Sequence, residues 1–279
     1  MGVLEPDSRE RSAETDGPLH LEQVQDGLTT RYLGVRLHYV SEIDSTNAYA
    51  KRLAEQGAGE GEVVIAETQT RGRGRLGRRW VSPAFLNLYF SVILRPHFAP
   101  VQAPQITLMA AVALADTVTS FLGGPPAIKW PNDILVGGKK LAGILTESSC
   151  SSGRIEFVIL GVGVNLNYPV ALMPEGIRER ATSVIALTQS PVSREAFARR
   201  LIQDLDRCYG ELQEAGFGAL AFRWEALFGL RGKRVRAEMT DQSVMGTAKG
   251  LDDDGALLVE DDQGMRHRIV AGDVVPLEG

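Results

Sequence analysis

The stretch Glu67-Thr68-Gln69-Thr70-Arg71-Gly72-Arg73-Gly74-Arg75-Leu76-Gly77-Arg78-Arg79-Trp80 threads three glycines through five arginines. Glycine lets the backbone reach positive φ and lets a ligand lie against it, and arginine offers a planar fork of donors that matches phosphate and carboxylate oxygens. Five cations this close repel one another until an anion arrives, so the stretch reads as an anion-gripping loop, loose when empty and ordered when filled. Gly72, Gly74 and Gly77 also satisfy G-x-G-x-x-G. A dinucleotide fingerprint, however, opens an apolar helix at its last glycine, and here Arg78-Arg79-Trp80-Val81-Ser82-Pro83 follows. A solvated basic turn or a nucleic-acid patch is the plainer reading of a short basic run, and the flanking segments weigh against it.

Glu62-Val63-Val64-Ile65-Ala66-Glu67 reads as a buried strand entering the loop and residues 86–95 as a strand leaving it, the placement of a binding loop on a rigid scaffold. Upstream, residues 1–18 have the composition of an unstructured tail, and residues 20–30 could form a short helix with Leu21, Val24 and Leu28 on one face. Leu37-His38-Tyr39-Val40 is a strand that leads through a polar turn into a helix over residues 48–54. Asp44, Ser45 and Thr46 suit N-caps of that helix, or a small polar ligand held beside its exposed N–H groups.

Downstream, residues 105–122 read as an apolar core helix closed by Gly123-Gly124-Pro125-Pro126. Residues 128–136 read as one bent edge strand, because Pro131 breaks pairing; Asn132 and Asp133 form either a turn or, beside Lys129, a place for Mg²⁺ and phosphate. Gly137-Gly138 turns the chain into a strand over residues 139–147, and residues 154–166 make another. Gly143 on the first, with Gly161 and Gly163 on the second, suits a flat slot for a thin ligand or tight strand-on-helix packing. A long amphipathic helix over residues 191–216 carries Phe197, Leu201, Leu205, Cys208 and Leu212 on one stripe, and a shorter one follows over residues 217–228. Short strands near residues 234–237, 246–250, 256–259 and 266–270 then indicate a β-barrel of SH3 size.

A net charge of −5 and a pI near 5.5 argue against a general nucleic-acid binder, since the positive charge is local. Cys150 and Cys208 build no disulfide framework, and His20, His38, His97 and His267 lack metal-ligand spacing. With no signal peptide and no run of ~18 consecutive apolar residues, a cytoplasmic protein without a membrane partner is expected.

Taken together, Asp44-Ser45-Thr46-Asn47, the loop over residues 72–80, Lys129-Trp130-Pro131-Asn132-Asp133, Lys140-Leu141-Ala142-Gly143-Ile144-Leu145, Gly163-Val164-Asn165 and the C-terminal barrel resemble a biotin protein ligase over about residues 35–279. The resemblance implies an α+β fold, a mixed sheet flanked by helices with an SH3-like barrel behind it. It divides the chain into an N-terminal extension (1–30), a catalytic domain (31–229) and the barrel (230–279). It implies an enzyme that joins biotin to ATP as biotinyl-5′-AMP, with Mg²⁺, and transfers biotin to a lysine of a biotin carboxyl carrier protein. Lys140 and Arg73 take the catalytic places. Ser45, Thr46, Asn47, Gln69, Arg73, Gly74, Arg75, Lys140, Gly143, Leu145, Gly161 and Val162 fall around biotin. Arg73, Arg75, Arg78, Trp80, Lys129, Asn132 and Asn165 fall on the nucleotide, and Asp133 falls on the metal. Leu76 receives no role. A lipoate ligase is the alternative within the superfamily, and the intact Gly72-Arg73-Gly74-Arg75 favours biotin. A biotin-sensing DNA-binding repressor is the alternative of another class; the roughly 35 residues ahead of the core, many of them charged, are expected to leave no room for its helix-turn-helix. An exposed edge strand could support a homodimer.

Overall fold

The computed structural model describes residues 17–277, so the tail expected over residues 1–18 lies, apart from Gly17 and Pro18, outside them. A short helix, α1 (Leu21–Gln25), buries Val24 and ends sooner than expected. β1 (Arg36–Ile43) then leads through Asp44 and Ser45 into α2 (Thr46–Glu55). β2 (Glu62–Gln69) runs parallel to β1, and β3 (Leu88–Leu94) returns antiparallel, so the arginine loop hangs between neighbouring core strands. α3 (Pro104–Leu122) stops at Gly123, whose φ of 72° is a left-handed conformation that glycine takes freely. By length and composition α3 could cross a membrane, yet 72% of its most apolar window is buried against the rest of the protein, as in a core helix.

The one bent strand expected over residues 128–136 is a hairpin of two, β4 (Ala127–Lys129) and β5 (Asp133–Val136), with Lys129 opposite Asp133. Pro131 has no N–H to give a ladder, and the chain reverses there rather than bending. Gly137 and Gly138, at φ 58° and 77°, form the tight turn into β6 (Lys139–Ser151), which pairs from Ala142 onward with β7 (Arg154–Val164). α4 (Glu175–Arg178) and α5 (Val184–Thr188) lie on the returning segment, and α6 (Arg194–Ala215) and α7 (Gly218–Ala226) pack on α3. The expected stripe Phe197, Leu201, Leu205, Cys208 and Leu212 is buried; removing such side chains from water contributes about 1.5–3 kcal/mol each. β8 (Arg234–Glu238), β9 (Ser243–Leu251), β10 (Leu257–Glu260), β11 (Arg266–Ile269) and β12 (Asp273–Pro276) complete the chain, the last with no counterpart among the expected strands.

The fold is therefore a mixed seven-stranded sheet with helices, ordered β1-β2-β3-β7-β6-β5-β4, plus a small antiparallel sheet ordered β11-β10-β9-β8-β12. Period-two alternation sorts the faces of the large sheet. Val63, Ile65, Val92, Leu94, Val158 and Leu160 join the main core with α3 and α6, whereas Val64, Ile93, Phe157 and Ile159 pack with Ala50 and Ala54 of α2 on the opposite side. Gly161 and Gly163 continue the α2 side, with Leu145 and Gly143 of β6 directly opposite them. This face, beside the start of α2, carries the site.

Candidate functional site

The arginine loop folds on itself: the Trp80 N–H donates to the Gly72 carbonyl at 2.9 Å and the Gly74 N–H to the Arg78 carbonyl at 2.7 Å. Of its glycines only Gly77 takes positive φ, at 72°. Gly72 instead admits the returning chain, since a Cβ there would lie 2.5 Å from the Trp80 carbonyl oxygen. No helix follows Gly77, which removes the dinucleotide reading.

Most of these arginines have anionic partners already, contrary to the expected repulsion. Arg71 lies 3.7 Å from Asp44, Arg73 Nη2 is 2.8 Å from Glu147 Oε2, and Arg78 Nη2 is 2.5 Å from Asp273 Oδ2. Arg75 donates to Asn132 Oδ1 at 3.2 Å and to the Gly272 carbonyl at 2.9 Å. Carboxylates and carbonyls brought in from distant strands thus balance a charge run that is unbalanced when read locally. Burial lowers the Arg75 pKa, whereas the hydrogen bond to Asp273 raises that of Arg78.

Every residue named from the resemblance lines one cleft of about 730 Å³, which joins a neutral end to a cationic one. At the neutral end Ser45, Thr46 and Asn47 are buried, and the side chain of Ser45, the capping residue of α2, makes no capping hydrogen bond. Gln69 Oε1 does the capping instead, accepting from the Thr46 N–H at 2.9 Å and its hydroxyl at 3.2 Å. Asn47 Nδ2 donates to the Leu145 carbonyl at 3.1 Å and to Glu147 Oε2 at 2.8 Å, while Asn47 Oδ1 accepts from Ser91 Oγ at 2.7 Å. Ser45, Thr46, Asn47 and Gln69 are themselves uncharged and held at the start of α2 and the end of β2, an arrangement suited to a neutral polar head group.

At the cationic end Lys140 Nζ donates to Asp133 Oδ1 at 2.6 Å and sits 5.5 Å from the Trp80 ring centroid, within cation–π reach. Lys129 Nζ is 3.6 Å from Asp273 Oδ1, and Asn132 Nδ2 donates to the Ile144 carbonyl at 2.8 Å. Asn165 Nδ2 donates to the Thr182 carbonyl at 3.0 Å, which ties the returning segment to the end of β7. Asp133, expected on the metal, is engaged with Lys140, and among the described residues no group of three His, Cys, Asp or Glu side chains could hold a metal ion.

The glycine gaps are filled by the site's own side chains. A Cβ at Gly163 would meet the Trp80 indole at 2.6 Å, one at Gly143 would meet Lys140 Nζ at 3.1 Å, and one at Gly161 would meet Asn47 Oδ1 at 2.0 Å. Tight packing, but against the loop and α2, is what the structure uses them for. Val162 alternates to the other side of β7, and its buried side chain belongs to the main core.

Three partners were not foreseen. Glu147 lies two residues beyond Leu145 on the same strand face, so period-two counting from Gly143 would have found it. Asp273 sits on the unexpected β12. Glu67, at the root of the loop, accepts from Arg194 Nη1 at 2.7 Å, the Leu19 N–H at 2.6 Å and the Tyr39 hydroxyl at 2.9 Å. Burial, and then the bond to Glu67, push the Tyr39 phenol up to about 12.

Residues 39–165 match the Biotin/lipoate A/B protein ligase family, and residues 231–275 match the Biotin protein ligase C terminal domain. The chain is 39% identical over 268 residues to the biotin–[acetyl-CoA-carboxylase] ligase of Mycobacterium tuberculosis, covering 93% of this chain and 96% of that one. It belongs to the biotin protein ligase family. The bifunctional ligase/repressor BirA of Bacillus subtilis is 34% identical, the match covering 95% of this chain and 81% of that protein. Among solved structures, the biotin protein ligase from Aquifex aeolicus in complex with biotin and ATP superposes with a TM-score of 0.75 at 28% identity, covering 88% of this chain and all of that one. The biotin protein ligase fold thus extends through both sheets.

Proposed function

We propose that the chain is an ATP-dependent biotin protein ligase that forms biotinyl-5′-AMP and transfers biotin to a lysine of a biotin carboxyl carrier protein. The observation that carries the reading is the single cleft in which neutral donors and acceptors at Ser45, Thr46 and Gln69 adjoin Arg73, Arg75, Arg78, Lys129 and Lys140. Biotin pairs a neutral polar head with a carboxylate, and its partner ATP is a polyanion; the two ends of the cleft suit those two demands.

In the first step a biotin carboxylate oxygen attacks the α-phosphorus and pyrophosphate leaves. Both reactants are anions, so cations must neutralise and orient them; we assign this to Lys140 and Arg73, fixed by Asp133 and Glu147. In the second step a neutral lysine amine attacks the acyl carbon and AMP leaves, while the loop keeps water away. Ser45, Thr46, Asn47, Gln69, Gly74, Leu145 and Gly161 would surround biotin. Arg75, Arg78, Trp80, Lys129, Asn132 and Asn165 would face the nucleotide. Because the described residues build no cage for a resident metal, Mg²⁺ would come bound to the phosphates, as it usually does, with Asp133 the nearest carboxylate to Lys140. We expect the reaction in the cytoplasm, without nucleic acid or membrane, and a homodimer would rest on the free edge of β1.

The test is transfer of labelled biotin to an apo carrier domain of an acetyl-CoA carboxylase. Label on the carrier, dependent on ATP and not competed by lipoate, is the expected result. Preferential transfer of lipoate would move the assignment to a lipoate ligase.

A further inference from the structure

Three basic side chains of the large sheet and its loop converge on Gly272 and Asp273, where the chain enters β12 of the small sheet. Arg75 donates to the Gly272 carbonyl at 2.9 Å, Arg78 to Asp273 Oδ2 at 2.5 Å, and Lys129 Nζ lies 3.6 Å from Asp273 Oδ1. Asp273 is held firmly: it opens β12, pairs across the ladder with Glu238, and accepts the Val274 N–H at 3.0 Å. Gly272 before it has φ 149° and packs so closely that a Cβ would lie 2.3 Å from the Glu238 carbonyl oxygen. Of the cations Arg78 is the freest, its side chain 63% exposed against 20% for Lys129. A fixed carboxylate therefore stands at the cationic end of the cleft, beside Glu238 and apart from the Asp133–Lys140 pair, and holds two cations by the contacts a phosphate oxygen would use.

We propose that Asp273 is a positioning residue that stands in for a nucleotide phosphate: it holds Arg78 and Lys129 ready when no nucleotide is bound and yields them to the triphosphate when one arrives. The inference rests on the ligase reading above. A triphosphate carries more negative charge than one carboxylate and takes both donors. Asp273 thus competes with the ligand, sets how tightly polyphosphates are held, and eases release of pyrophosphate. Such competition is a coupling of the usual kind, for which factors of roughly 5–150 are common.

The test uses the full chain and inorganic tripolyphosphate as probe, with binding read by calorimetry and biotin-dependent ATP–pyrophosphate exchange read alongside. For Asp273→Asn we expect tripolyphosphate to bind at least fivefold tighter and the KM for ATP to fall, with kcat not raised and biotin affinity within about twofold of wild type. Asp273→Ser, which also lacks the charge, should behave likewise should the asparagine variant fold poorly. Asp273→Glu, which restores the charge, should return binding towards wild type. Unchanged or weaker tripolyphosphate binding in the neutral variants would falsify the proposal, as would a glutamate variant indistinguishable from asparagine. A wild-type chain that makes no biotinyl-AMP overturns the ligase reading and this inference with it; an active wild type whose neutral variants bind no tighter overturns this inference alone.

Discussion

Two arginine–carboxylate pairs anchor the same loop and differ in kind. At its root Glu67 and Arg194 have side chains only 2% and 4% exposed, and Glu67 also takes the Leu19 N–H and the Tyr39 hydroxyl. Near its tip Arg78, 63% exposed, meets Asp273. A sealed pair cannot be exchanged, because removing either member leaves a buried charge without solvent or counter-ion. The tip pair is reached by water through its exposed arginine while Asp273 is only 15% exposed, so an incoming anion can take the arginine at smaller cost than at the root. The loop therefore has a fixed root and an exchangeable tip, which is what a site that must grip and release anions requires.

The largest expected effect is at the root. Arg194→Met leaves Glu67 buried and unpaired, and should cost about 3–5 kcal/mol of unfolding free energy, read from urea midpoints at constant m-value. A loss under about 1 kcal/mol would erase the contrast between the two pairs. Next comes Lys140→Ala, which should slow biotinyl-AMP formation roughly 10²–10³-fold through lost stabilisation of charge at the phosphate, while Lys139→Ala stays near wild type. Equal rates for both variants would place the catalytic lysine elsewhere.

Gly161→Ala should come third. Its Cβ would displace Asn47, and overpacking of this kind typically costs about 1–3 kcal/mol. Since Asn47 joins Leu145 to Glu147 at the neutral end, biotin affinity measured by calorimetry should fall while tripolyphosphate affinity holds. A loss confined to tripolyphosphate would reverse the assignment of the two ends. The smallest effect is at the tip, where Asp273→Asn should change stability by at most about 1 kcal/mol at neutral pH. Burial alone would raise the Asp273 carboxyl, but Arg78 and Lys129 outweigh it and hold the group below the usual carboxylate range. The contribution is therefore present above the unfolded value of about 4 and lost as pH falls through the lower folded value. A gap between wild type and variant that persists unchanged at pH 2 would show that the charge is not its source.

What could be read from the chain beforehand follows the range of the interaction. The strands around the loop, α3 and the stripe of α6 announce themselves by local periodicity, and each lies close to its expected place. The β4–β5 hairpin was read as one strand because pairing of Lys129 with Asp133 depends on a chain reversal that apolar pattern does not encode. β12 was not expected, although at four residues it is as long as β10 and β11, which were. That the residues named for the site lie together was legible, and all of them line one cleft. Their counter-charges were not: Arg194 is 127 residues from Glu67, and Asp273 is 195 from Arg78, distances over which a single sequence carries no pairing signal. Val162 lines the cleft, while its side chain turns to the core face of β7, as alternation from Gly161 and Gly163 assigns.

The most direct measurement of the central claim is to incubate the purified chain with biotin and α-labelled ATP and to separate the nucleotides. A cleft that brings a carboxylate to an α-phosphate should yield labelled biotinyl-AMP, dependent on biotin and lost in Lys140→Ala. Label that stays in ATP, or that appears as free AMP regardless of biotin, would contradict the account.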